Sequence, residues 1–157
     1  MTDGVVVVGY GNALRTDDGL GWYAADRLAK DPRLTGVTVL QRHQLMPELA
    51  LDISAAILVV LVDASHGIPP GAVTVTQVEP ASDAATTWSH HLSPPSVVAL
   101  AHELYGRAAE VFLVRCGVES CEMGDRLSPV VMTALPQVVD AVVELIASCA
   151  AEHRADG

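Results

Sequence analysis

The chain has 157 residues, half of them hydrophobic, with 9 Lys and Arg against 19 Asp and Glu and a net charge of −10. That length suits one domain, 1–157, able to bury ~70% of its unfolded surface without a disulfide or metal to hold it together. The charge and the lack of any basic cluster argue against nucleic acid and anionic membrane surfaces as partners, and no apolar window reaches the ~18 residues of a membrane span.

In chain order, Met1-Thr2-Asp3-Gly4 carries no basic side chain and the run Val5-Val6-Val7-Val8 stops at Gly9, so no secretory leader is expected. Residues 5–8 read as a strand buried on both faces. Residues 9–15 form a loop. Thr16 or Asp17 then caps a helix to about Lys30, with Leu20, Ala24 and Leu28 on one face. Residues 36–41 are a second strand, and Pro47 opens a short helix over 48–54. Residues 56–62 make the third strand. His66-Gly67-Ile68-Pro69-Pro70-Gly71 reads as a turn, and residues 72–78 as a strand whose short connection calls for an antiparallel arrangement. After a polar loop over 79–92, Ser93-Pro94 opens a helix to Tyr105 that Gly106 closes. Residues 111–114 are the fifth strand. Residues 117–127 are a loop, and Ser128-Pro129 caps a final helix to about Cys149, with Pro136 as a point of kinking. This order predicts an α/β fold: a five-stranded, mostly parallel sheet with one antiparallel strand, covered by helices on both faces.

Ligands of such sheets bind beyond the carboxyl ends of the strands, which directs attention to three segments. The first is Gly9-Tyr10-Gly11-Asn12-Ala13-Leu14-Arg15-Thr16-Asp17-Asp18-Gly19-Leu20-Gly21, directly after the first strand. Its glycines suggest a dinucleotide fingerprint, but Leu14 stands where the third glycine belongs. Asp17 and Asp18 would also face a pyrophosphate at the helix N-terminus, so the acidic pair favours a cation over an anion. The plain alternative is that both carboxylates cap the helix. The second segment is Val59-Val60-Leu61-Val62-Asp63-Ala64, which puts Asp63 at the end of a buried strand, as a turn former or a site residue. The third is Ser89-His90-His91-Leu92-Ser93-Pro94, where adjacent histidines point in different directions and at most one joins a given site. Two carboxylates and an imidazole at one sheet edge suit nickel, zinc or iron, with coordination positions left open for a substrate.

These segments, in this order, resemble the hydrogenase maturation endopeptidases. That family has a strand, a Gly-x-Gly-Asn turn and an acidic pair before Gly, then an Asp ending the third strand, then a Ser/Thr-His-x-Leu loop before a helix. The resemblance covers nearly the whole chain and implies a three-layer α/β/α sandwich of phosphorylase/hydrolase-like type. Carried over by position, the family's metal ligands fall on Asp18, Asp63 and His90. Asp18 stands where many members have Glu, and Leu92, two residues on, selects His90 over His91. The implied activity is cytoplasmic removal of the C-terminal extension from the precursor of a NiFe hydrogenase large subunit. The implied metal is nickel arriving with that precursor, for which zinc or cadmium could substitute in a crystal. Arg42-His43-Gln44-Leu45-Met46-Pro47-Glu48 replaces the acidic-Gly-Thr turn of many relatives and resembles the branch serving soluble or oxygen-tolerant hydrogenases.

The remaining residues offer little competing chemistry. Cys116 and Cys121 have no second pair to complete a zinc site, and Cys149 reads as a small core residue. Three cysteines without a framework suit the cytosol. No serine has a Gly-x-Ser-x-Gly elbow, so peptide cleavage calls for an activated water or a polarised carbonyl. The competing readings are a nucleotide-binding α/β module and a metal-binding module that does not cut.

Overall fold

The computed structural model describes residues 4–81 and 92–155. The strands are β1 (Val5–Tyr10), β2 (Thr38–Arg42), β3 (Leu58–Pro70), β4 (Val73–Gln77) and β5 (Glu110–Gly117). The helices are α1 (Leu20–Ala29), α2 (Leu49–Ala55), α3 (Pro94–Tyr105) and α4 (Pro129–Ala155). The strands form one sheet in the order β2-β1-β3-β5-β4. The pairs β1–β2, β1–β3 and β3–β5 are parallel, and β4 runs antiparallel to β5.

Side chains alternate across the central strands and so divide the core in two. Val7, Val60, Val62 and Val114 face one layer with Leu20, Leu28, Leu135 and Ile146 of α1 and α4. Val8, Val59, Leu61 and Leu113 face the other with Ile53, Val97 and Ala101 of α2 and α3. Strands covered on both faces have no polar side to show, which is why β1 and the first half of β3 read as unbroken apolar runs. Within α4, Val131, Leu135, Val138, Val142 and Ile146 recur at helical spacing and are buried.

The strand β4 is antiparallel, as expected, with β5 as its hydrogen-bonded neighbour: Val73 pairs with Cys116 and Gln77 with Phe112. Two local expectations are revised. The strand expected to end at Val62 continues to Pro70, where β3 meets Gly117 across a register shift. The two prolines sit at this irregular end, where a missing donor is tolerated. The final helix runs through Pro136 and on to Ala155, past Cys149. The α3 boundaries agree with expectation. The Ser93 hydroxyl accepts from the Ser96 amide, and Gly106 ends the helix at φ 73°.

Candidate functional site

The chain leaves β1 at Tyr10 and turns sharply through Gly11 into a 3-10 turn, Thr16–Gly19, before α1 begins. The motif glycines make this turn possible. A Cβ on Gly9 would lie 1.9 Å from the Gly21 carbonyl oxygen, and one on Gly11, at φ +140°, would lie 2.1 Å from the Asp18 carbonyl oxygen. A Cβ on Gly21 would press on the backbone of Tyr10 and Val62. The glycines thus bring the acidic turn and the start of α1 down onto the end of β1 and the middle of β3 at Val62. That packing role accounts for the Gly-x-Gly pattern without a nucleotide.

The acidic pair divides its work, and neither carboxylate caps α1. Asp17 is wholly buried. Its carboxylate accepts from the amides of Glu119 (2.9 Å), Ser120 (3.0 Å) and Ser128 (2.7 Å), and from the Ser128 hydroxyl (2.7 Å). Burial alone would raise its pKa, but the hydrogen bonds from Ser128, Ser120 and Glu119 outweigh it and hold the group below the usual carboxylate value. Asp17 is therefore a structural clasp on the loop between β5 and α4, a role the sequence reading did not foresee. Asp18 points the other way. Its Oδ2 accepts from the Asn12 amide at 2.8 Å, and its side chain lines a cleft of about 380 Å³.

Asp63 lines the same cleft, with Tyr10, Arg15, His43 and Leu92. Its Oδ1 accepts from the Ala64 amide at 2.8 Å. Burial is the main cause that raises its pKa to about 6; the negative charge of Asp18 adds to this, while Tyr10, the Ala64 amide and Arg115 oppose it. Burial, and then the neighbouring Asp63 charge, hold the Tyr10 phenol protonated well above its ordinary range. Across the sheet, Asp63 is in register with Arg115 of β5, and Arg115 with Thr74 of β4. The Arg115 Nε and the Thr74 hydroxyl are buried without a partner among the described residues.

Two of the three expected site residues thus share one cleft beyond the carboxyl end of β1, beside the middle of β3 where its pairing with β1 stops. His90 and His91 lie outside the described residues, although Leu92, which follows them, lines the cleft. Among the described residues, no three His, Cys, Asp or Glu side chains converge as a metal site. The cleft also gathers residues that sequence reasoning passed over: Tyr10, Arg15 and His43. Tyr10 and Arg15 belong to the same turn as Asp18. His43 lay in the segment already marked as departing from many relatives, and its placement beside the carboxylates was the missing information.

A sheet with one reversed edge strand between two helical layers defines a three-layer α/β/α protein, with a carboxylate-lined cleft where β1 ends. Solved structures share this fold. The chain matches the hydrogenase maturating endopeptidase HybD from E. coli with a TM-score of 0.74 at 21% identity, over 92% of this chain and 93% of that one. It matches a [NiFe] hydrogenase maturation protease, HycI, from Thermococcus kodakarensis with a TM-score of 0.68 at 25% identity, over 90% and 91%. It matches a hydrogenase 2 maturation peptidase from a Thaumarchaeota archaeon with a TM-score of 0.70 at 25% identity, over 91% and 97%. No protein-family model and no curated protein matches the sequence. In fold, the chain is similar to these hydrogenase maturation endopeptidases over nearly its whole length.

Proposed function

We propose that this chain is an endopeptidase that removes the C-terminal extension from the precursor of a NiFe hydrogenase large subunit. In this reading nickel arrives with the precursor as part of the substrate, and Asp18, Asp63 and His90 bind it. The observation that carries the reading is the meeting of Asp18 and Asp63 in one cleft, within the fold shared with the maturation endopeptidases. Two carboxylates at close quarters repel each other, and a divalent cation between them relieves that repulsion. The pKa of Asp63 is raised first by burial, with the Asp18 charge adding to it, and a bound cation would favour the ionised carboxylate.

The chain's own groups would then orient the precursor. The Asn12 amide fixes Asp18 and the Ala64 amide fixes Asp63, so both present defined oxygens. Tyr10, protonated at any working pH, provides a phenol beside Asp63. Hydrolysis adds water across the scissile amide: a water oxygen bonds to the carbonyl carbon, the C–N bond breaks, and the leaving amine takes a proton. A metal held by Asp18, Asp63 and His90 would supply the polarisation of that carbonyl or the activation of that water, in keeping with a sequence that has no serine elbow.

The test is incubation of the purified chain with a nickel-loaded precursor, read by the mass of the product. Wild type should shorten the precursor. Asp18→Asn, Asp63→Asn and His90→Ala should not, while circular dichroism shows them folded. Folded Asp18 and Asp63 variants that cut at the wild-type rate would refute the assignment.

A further inference from the structure

A second group of ligand-bearing side chains stands outside the Asp18–Asp63 cleft and has no part in the reading above. Cys121, in the loop between β5 and α4, places its Sγ 3.7 Å from Nε2 of His66, near the far end of β3. The thiol is partly exposed and the imidazole exposed, so solvent ions reach both. We propose that Cys121 and His66 form a binding site for a soft or borderline divalent cation of the zinc, nickel or cadmium class.

Geometry is the first argument. With metal–sulfur and metal–nitrogen bonds of about 2.3 and 2.0 Å at a tetrahedral angle, the two ligand atoms of one ion stand about 3.5 Å apart. The observed 3.7 Å lies close to that separation, so one ion bridges both atoms with little side-chain movement.

Rigidity is the second. The Cys121 loop is held from both sides, by the Asp17 carboxylate on Glu119, Ser120 and Ser128, and by the Thr16 amide on the Gly124 carbonyl. The Thr16 hydroxyl also donates to the Glu122 carbonyl. The His66 segment is tied to the start of the same loop, because the Val118 amide donates to the Ser65 carbonyl. The Ser65 hydroxyl further accepts from the Gly67 amide. Ligands on such fixed backbone lose little freedom on binding an ion.

Charge is the third. The whole chain carries −10, and that charge favours cations over anions at its surface. Sulfur and imidazole select soft and borderline ions over magnesium or calcium. As the metal–sulfur bond forms, the thiol proton passes to water. With only two protein ligands, the other positions remain with water, or with a donor from a bound partner.

Cobalt(II) titration of the reduced, metal-stripped full chain tests the site without any cleavage assay. Wild type should develop a sulfur-to-cobalt charge-transfer absorption that saturates at one equivalent per chain. Cys121→Ser should abolish it. His66→Ala should weaken cobalt binding by ~10-fold or more, since loss of even an outer-shell partner costs that much. Cys116→Ser, Cys149→Ser and Asp63→Asn should keep the absorption. A second measurement needs no variant: saturating cadmium should protect Cys121 of the wild-type chain from alkylation, read by peptide mass. No charge-transfer absorption in wild type, an absorption that survives Cys121→Ser, or alkylation unaffected by cadmium would each overturn the proposal.

Discussion

At the scale of single residues, three carboxylates near one another have different fates. The Asp63 carboxyl titrates near 6 in the folded chain against 3.8 in its unperturbed form. As pH rises, the unfolded chain loses this proton first, so Asp63 destabilises the fold progressively between those two values. Above the folded value the whole cost stands, as much as about 3 kcal/mol. Asp63→Asn removes the charge but keeps an oxygen for the Ala64 amide. Its melting temperature should exceed that of wild type at pH 7 and converge with it below pH 4, while precursor cleavage is lost. A variant that melts below wild type at pH 7 would show that Asp63 is not a strained group. Asp17 behaves in the opposite way. Its folded pKa is depressed, so its contribution is complete above the ordinary carboxylate value and fades as pH falls through the folded value. Asp17→Ala would strand the amides of Glu119, Ser120 and Ser128. These amides are only partly buried, so each orphan falls at the low end of about 1–3 kcal/mol and the loss should be on the order of 3 kcal/mol, visible in a denaturant titration. Asp18→Asn, on the same turn, should change stability little. Sequence made Asp18 visible through the acidic pair after a glycine turn, and Asp63 visible as an acidic residue closing an apolar run. It could not separate Asp17 from a helix cap, because its partners lie 102 to 111 residues away along the chain.

At the scale of elements, local signals served well where the cause was local. Ser93 and Gly106 bound α3 because capping chemistry is written in the capping residues themselves. The length of β3 and the partner of β4 were not legible. Pro69 and Pro70 argue for a turn on their own, and only the neighbouring β5 end, through Gly117, extends the strand across them. A short connection implies a reversal but not which strand lies alongside, and β4 reaches past β3 to the free edge of β5. The Gly9–Gly21 contact yields a firm prediction at this scale. Neither residue has room for a methyl group, because backbone atoms stand 1.9 Å from a Cβ on Gly9 and 2.5 Å from one on Gly21. Gly9→Ala and Gly21→Ala should each push α1 off the sheet and cost more than the ~1–3 kcal/mol typical of overpacking, with the acidic turn displaced as well. Thermal melts check the first effect, and loss of precursor cleavage in any variant that still folds checks the second. An alanine variant as stable and active as wild type would mean that the close approach does not position the site.

At the scale of the whole molecule, the two helical layers differ in what they close. The α1–α4 layer is sealed by a helix that, against the expectation of no span-length apolar window, is long and apolar enough by composition to cross a membrane. Its buried stripe shows instead what that apolar surface is for: Leu135, Val138 and Val142 cover the sheet. The α2–α3 layer opens at the carboxyl end of β1, where Leu45 of the second core and Leu92 beside it give way to Asp18 and Asp63. The cleft is therefore a polar mouth with two carboxylates, Arg15 and His43, in a chain of net charge −10. Such a mouth disfavours a further anion and favours a polypeptide that brings its own positive charge. If nickel is that charge, the same precursor should be a far poorer substrate without it, although its sequence and extension are unchanged. The expected difference is about 10²–10³-fold in rate, the scale on which one electrostatic stabiliser acts at a reacting carbonyl. Precursor purified from nickel-depleted cells, with chelator present throughout, should stay at full length, and reconstitution with nickel should restore cleavage by wild type but not by Asp63→Asn. Equal cleavage of the loaded and nickel-free precursors would show that the carboxylates serve some role other than reading the metal.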